Sequence, residues 1–241
     1  MSSQFLYHES CPQCGSKDNL GVWDDGHKFC FGCKYYESGT ITIHSVFNPQ
    51  EPIEHKESDF PYDANEDIPA EALKWLLKYH ITFQLQKEFG ILWSNRRQML
   101  CWKIYGVSGN LLGWQGRCFA KDAKTKYFSQ GKIHEDLCIL SREFPIPSTV
   151  VLVEDFISAI RVSEYLPCMP LWGCTCGLNA LGELKKRFST ILVWLDGGKL
   201  DNARKIGLNA SMVGLKSGVI YTSRDPKEYS SEEIDKFLQG E

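Results

Sequence analysis

The stretch Thr149–Ile160, TVVLVEDFISAI, decides the fold of this 241-residue chain. Thr149–Val153 runs without polar alternation into an acid, Glu154, and a helical pattern follows over Phe156–Leu166. A strand covered on both faces reads this way, because it has no solvent side to place polar residues on. The same figure recurs downstream. Thr190–Leu195 ends at Asp196 and leads into the helical Leu200–Leu215. The short apolar Met169–Trp172 precedes the helical Leu178–Phe188, Val219–Thr222 precedes Asp225, and Glu232–Leu238 closes the pattern. Buried strands separated by helices predict an α/β fold with a parallel sheet from residue 148 onward.

In an open parallel sheet, ligands bind beyond the carboxyl ends of the strands. Glu154, Asp196 and Asp225 fall at or just past three such ends. Converging carboxylates there offer hard oxygen ligands for Mg²⁺ or Mn²⁺. Two such ions about 4 Å apart can clamp an in-line phosphoryl displacement. One acid after a strand is more often a helix cap, so the weight rests on three in register.

Upstream, Met99–Tyr105 and Leu111–Phe119 are rich in aromatic and β-branched residues and flank a Ser-Gly-Asn turn, which predicts a hairpin. Lys126–Ser129 and Leu137–Leu140 read as further short strands, and Glu71–Tyr79 and Thr82–Phe89 as helices, with Thr82 as an N-cap. From Arg96 to Lys132 there are eight basic residues against Asp122 alone. Lys103, Arg117, Lys124 and Lys126 alternate with Trp102, Tyr105, Trp114 and Tyr127, a mixture suited to phosphates and stacked bases. Trp75, Trp93, Trp172 and Trp194 read as core. Before this lies a segment with Pro49, Pro52 and Pro61 and a run of acids, without helical or strand period, which reads as a linker.

The first 43 residues carry CPQC and CFGC, two C-x₂-C knuckles with 15 residues between them. Cys11, Cys14, Cys30 and Cys33 thus present four thiolates from two facing turns, a closed tetrahedral Zn²⁺ site that is structural because no coordination position stays open. Gly15 and Gly32 are expected to give the turns their backbone freedom. Strand-like pieces are expected at Leu20–Trp23 and His27–Phe31. Asp25-Gly26-His27 forms a polar tip beside Trp23, Phe29, Tyr35 and Tyr36. The net charge of −3 excludes little, and no apolar run nears the roughly 20 residues of a membrane helix. The start, MSSQFLYHESCPQC, lacks the features of a secretory signal. A cytoplasmic protein is expected.

This order of parts resembles the bacteriophage primases related to bacterial replicative primases, with their zinc ribbon and TOPRIM domain. It is most similar to the primase half of short-tailed phage primase–helicases. The resemblance rests on FLYHESCPQC and DDGHKFCFGC, on GNLLGWQGRCF with KTKYF, and on VVLVEDFISAI, ILVWLDGGKLD and SRDPKE. It implies a zinc-ribbon template-binding domain over 1–43, an acidic linker over 44–67, a basic mixed α+β subdomain over 68–147 and a TOPRIM-like catalytic subdomain over 148–241. Template reading would fall to Asp25, His27 and Tyr36. Arg117 and Lys126, with Lys103 and Lys124, would hold template and nucleotide. Glu154, Asp196 and Asp225 would bind Mg²⁺, with Asp201 as a further ligand. Ser158 and Gly198 stand where the family's motifs commonly carry an aspartate each. The implied activity is DNA-dependent synthesis of short RNA primers on single-stranded DNA from ribonucleoside triphosphates. A host cytoplasm is implied if the chain is phage-encoded. There is no G-x₄-G-K-[ST] phosphate loop, so a separate replicative helicase and a DNA polymerase are the expected partners. The alternative is a non-catalytic binder of single-stranded DNA, akin to recombination mediators.

Overall fold

The computed structural model describes residues 3–38, 60–121, 123–142 and 148–240. The chain divides into two units, Met1–His55 and Lys56–Glu241.

In the first unit, four short strands form an antiparallel sheet in chain order: β1 (Phe5–Glu9), β2 (Leu20–Trp23), β3 (Lys28–Cys30) and β4 (Tyr36–Glu37). The first knuckle joins β1 to β2, and the second joins β3 to β4. Gly15 closes the first turn at φ +68° and donates its N–H to the Cys11 carbonyl. Gly32 does not play the matching part. In the second turn it is Lys34 that takes the left-handed conformation, at φ +64°. Among the described residues of this unit the buried apolar side chains are Cys11, Leu20, Val22 and Cys30, with Tyr35 packed against the cluster. A core that small offsets little of the entropy of ordering the segment, and a metal held by the four cysteines would add to it.

The second unit has two sheets. Helices α1 (Ala70–Lys78) and α2 (Phe83–Glu88) precede an antiparallel sheet of β5 (Leu92–Ser94), β6 (Met99–Tyr105), β7 (Leu111–Cys118) and β8 (Tyr127–Gly131), paired in that order. Thr82 caps α2 by accepting from the Leu85 N–H at 3.3 Å. The β6–β7 hairpin turns through Gly109 at φ +80°. Leu137–Leu140 forms no strand; Leu140 alone bridges to Cys168.

The parallel sheet follows. Strands β9 (Thr149–Val153), β10 (Cys168–Pro170), β11 (Thr190–Val193) and β12 (Lys216–Val219) lie in the order β10-β9-β11-β12, every neighbouring pair parallel. They alternate with α3 (Phe156–Val162), α4 (Leu178–Lys185) and α5 (Leu200–Met212); a 3₁₀ turn (Pro226–Glu228) and α6 (Ser231–Gln239) close the unit. Val150–Val153 are fully buried, as the missing alternation requires. Val150 and Leu152 pack among α4 and α5, while Val151 and Val153 pack toward Trp194 and α6. Helix α3 joins the two sheets: Phe156, Ile157 and Ile160 share a core with Leu100, Trp102 and Ile104 of β6 and with α1 and α2.

The expected linker over 44–67 lies outside the described residues up to 59. From Phe60 on it packs against the second unit. Phe60 and Ala64 cover Met99, Cys101 and Trp114. Asp63 accepts from Ser94 Oγ and the Arg96 N–H, both at 2.8 Å. Asp63 here anchors chain to sheet, which composition alone does not reveal.

Candidate functional site

The ribbon tip is built by its sheet. All four cysteine sulfurs lie within 4.8 Å of one another. Cys11 and Cys33 Sγ are 3.6 Å apart, and Cys14 and Cys30 Sγ 3.7 Å. Zn–S bonds of about 2.3 Å at tetrahedral angles place sulfurs about 3.8 Å apart, so the cluster fits zinc. Backbone N–H groups of Cys33 and Gly32 pull the Cys30 thiol down to about 7, whereas Cys33, against its bond from the Tyr35 N–H, is pushed up to about 12 by burial and the neighbouring thiols.

Between the knuckles, Asp25 accepts from the His27 backbone N–H at 3.1 Å and pairs with Nδ1 of its ring. That backbone bond holds the Asp25 carboxyl below its usual range. With Nδ1 engaged, Nε2 remains available at the tip. The His27 ring stacks on Trp23 at 4.4 Å, and Tyr36 lies 6.0 Å away. The three template-reading candidates are therefore neighbours. The structure adds Phe5 and Phe31, both exposed: Phe5 and His8 extend the aromatic row from Trp23 toward Phe31. Their place on one sheet face follows from strand pairing, not from local sequence.

In the second unit the ends of β9 and β11 and the 3₁₀ turn border one pocket of about 420 Å³. It is lined by Glu154, Asp196 and Asp225, and also by Arg117 and Lys126. Gly197 makes the convergence possible: a Cβ there would meet the Ser223 carbonyl oxygen at 2.5 Å, so only glycine lets β11 end beside the loop that carries Asp225.

Glu154 Oε2 and Asp196 Oδ1 are buried without a hydrogen-bond partner. Burial raises the Glu154 carboxyl above its usual range, with Lys199 opposing and Asp155 and Asp225 adding to it. Burial pushes Asp196 up to about 7, against the pull of Lys227. Glu154 and Asp196 both border the pocket, and each has a desolvated carboxylate oxygen of the kind a hard divalent cation would satisfy.

Arg117 is caged by three rings, 5.5 Å from Trp75, 5.7 Å from Phe119 and 5.2 Å from Tyr127. It bonds only the Lys126 carbonyl, at 3.4 Å, and neither Arg117 nor Lys126 forms an ion pair among the described residues. Both cations keep their charge for a ligand. Trp75 and Trp172 pack against the core, half-buried, and also line the pocket; Trp93 and Trp194 are core as expected. Trp172 sits at φ +57° and stacks on Phe156 at 5.8 Å.

Three expected residues lie elsewhere. Asp201 opens α5 with its side chain 99% exposed and only a loose Arg204 contact at 3.9 Å, so it does not join the acids. Lys103 pairs across from Trp114, on the sheet face opposite Leu100, Trp102 and Arg117, and its ammonium lies over Phe60. Lys124 is exposed between β7 and β8 and does not line the pocket.

Two residues at the site were not foreseen in these roles. Asp155 caps α3 by accepting from the Ile157 and Ser158 N–H groups, and Ser158 Oγ donates to it at 2.9 Å. Lys227 Nζ donates to Asp155 Oδ2 at 2.7 Å and Asp225 Oδ2 at 2.9 Å.

A four-cysteine ribbon, a small antiparallel sheet and a parallel sheet with acids at its strand ends make up the zinc-ribbon and TOPRIM-like architecture of DNA primases. No family model matches the chain. A 33-residue stretch, 14% of the chain, is 48% identical to the DNA helicase/primase of Enterobacteria phage T3, of which it spans 6%. The primase fragment of the bacteriophage T7 primase-helicase superposes with a TM-score of 0.51 at 18% identity, over 98% of this chain and 99% of that one. The Aquifex aeolicus primase, comprising zinc-binding and RNA polymerase domains, gives 0.53 at 15% identity, over 100% of this chain and 80% of that one. The resemblance read from the motifs thus has its counterpart in the fold.

Proposed function

We propose that the chain is a DNA-dependent RNA primase, a nucleotidyltransferase that joins ribonucleotides on single-stranded DNA. The observation that carries this is the pocket that gathers Glu154, Asp196 and Asp225 with Arg117 and Lys126. In this reading the ribbon holds zinc, and Asp25, His27 and Tyr36 read a template trigger through base edges and stacking. Lys103 and Lys124, away from the pocket, contact template phosphates.

A divalent cation, Mg²⁺ or Mn²⁺, held by Glu154 and Asp196 would neutralise charge developing on the reacting phosphate. Arg117 and Lys126 hold the triphosphate oxygens of the incoming ribonucleotide and fix its orientation. Trp75 and Tyr127 keep the Arg117 plane in place. The 3′-hydroxyl of one ribonucleotide attacks the α-phosphate of the next, and pyrophosphate leaves. The hydroxyl proton passes to solvent water, and Glu154 serves as a ligand of the ion. Asp201 takes no part.

No helix among the described residues is long and apolar enough to cross a membrane. The reading places the protein in the cytoplasm, the host's if it is phage-encoded, beside a separate helicase and a DNA polymerase. The test is to incubate the chain with varied single-stranded templates, Mg²⁺ and labelled ribonucleotides, with and without a cognate helicase. Oligoribonucleotides that vanish with Asp196→Asn support it. No product on any template, helicase included, refutes it.

A further inference from the structure

Among the described residues, one cation is buried in the acidic pocket itself. Lys227 belongs to the 3₁₀ turn after Asp225, and its side chain is only 9% exposed. Its ammonium bridges two carboxylates from segments 70 residues apart, Asp155 at the start of α3 and Asp225. The Tyr79 ring covers it at 5.7 Å. Pro226 fixes the turn that aims it inward. Asp155 is further bound by Ser158 and by two N–H groups of α3. Both carboxylates that Lys227 touches are therefore already neutralised in part, whereas Glu154 and Asp196 each keep a buried oxygen without a partner.

The sequence departs from the family's pattern at the same place. Gly198 stands where a second acid follows the first, at φ +83°, and contributes no ligand. The pocket thus has a glycine at that position and a fixed positive charge between two of its acids. Each feature disfavours a second divalent ion, and each is electrostatically consistent with the other.

We infer that Lys227 is a resident cation of the pocket, standing in for one of two divalent ions, so that the site takes a single divalent cation at Glu154 and Asp196. The inference rests on the proposed reading of the pocket as a divalent-cation site. Lys227 is a positioning residue: it holds Asp155 and Asp225 together and sets the charge that the bound ion experiences.

The experiment counts Mn²⁺ bound by the zinc-loaded, full-length protein, using electron paramagnetic resonance of the free ion without nucleotide. The wild type and Lys227→Arg bind one ion per chain. Lys227→Met, of similar length but neutral, binds a second ion or binds the first at least tenfold more tightly. Two ions on the wild type, or a count and affinity unchanged by Lys227→Met, overturn the inference and leave the proposed function standing. No Mn²⁺ on wild type or variant refutes the cation site itself and the inference with it. If Lys227→Met fails to fold, a wild-type crystal soaked in Mn²⁺ decides. One anomalous peak beside Glu154 and Asp196, with Lys227 still between Asp155 and Asp225, upholds the inference. Two peaks, or Lys227 swung out, overturn it.

Discussion

Asp196→Asn is expected to make the protein more stable and a worse metal binder at once. Burial pushes the Asp196 carboxyl from about 3.8 to about 7, so the folded state holds a proton that the unfolded chain releases. Below pH 4 both states are protonated and the residue costs nothing. Between pH 4 and 7 the unfolded chain ionises first and stability falls; above 7 the loss is constant. At about 1.4 kcal/mol per unit the full shift is about 4 kcal/mol, and partial solvent access halves it to about 2 kcal/mol. Asparagine has the same shape and no charge to bury. Without divalent metal, Asp196→Asn should raise the melting temperature of the second unit by about 4–8 °C at pH 8, and by little at pH 4.5. Added Mg²⁺ should reverse the order, because a ligand at 100 times its Kd stabilises the wild type by about 2.7 kcal/mol and the variant by far less. Thermal unfolding by circular dichroism at both pH values, with zinc kept on the ribbon, reads all of this. A variant less stable than wild type at pH 8 without metal, or a gain independent of pH, would show that Asp196 is not strained by burial.

Three further outcomes are expected. Replacing Cys30 by serine should abolish zinc retention and unfold the first unit, read by metal analysis and by loss of amide-exchange protection at Leu20 and Val22, since the remaining apolar core is minimal. Gly197→Ala places a Cβ 2.5 Å from the Ser223 carbonyl. It should cost about 1–3 kcal/mol and weaken Mn²⁺ binding by displacing Asp196 relative to Glu154; unchanged affinity would argue against the loop contact. Arg117→Lys keeps the charge but not the plane stacked among Trp75, Phe119 and Tyr127. It should weaken ribonucleoside triphosphate binding about tenfold in a fluorescence titration, with at most about 1–2 kcal/mol lost in stability.

Much of this site was legible because two local signals carry it. Two C-x₂-C turns can hardly be anything but a metal cluster, and strands without alternation announce which residues stand at their carboxyl ends. Arg117 and Lys126 were legible as cations interleaved with aromatics. Lys103 carries the same signal and lies on the other face. What separates them is strand register: Lys103 pairs with Trp114, so it shares a face with Trp114 and not with Arg117. The hairpin loop sets that register, and a cation count does not contain it. Asp201 failed for a helical reason. At the first turn of α5 it projects into solvent and does not line the pocket that Asp196 borders.

Lys227 was beyond local reading altogether. A lysine after Asp-Pro looks like a surface turn, and its burial depends on Asp155, 72 residues earlier. Asp155 in turn reads locally as a helix cap, which it is. Only the fold shows that the cap also anchors a cation inside the acid cluster. The charges then constrain the chemistry. Glu154, Asp155, Asp196 and Asp225 against Lys227 leave a formal charge of −3 when all are ionised, and one divalent ion brings this to −1. A second ion would make the cluster positive before any phosphate arrives, in a partly desolvated pocket where that excess is poorly screened. Arg117 and Lys126 add two positive charges to the lining of the same pocket. Gly198 and Lys227 are thus better understood together, as one shift in the balance of the site, than as a lost ligand beside an unrelated surface lysine.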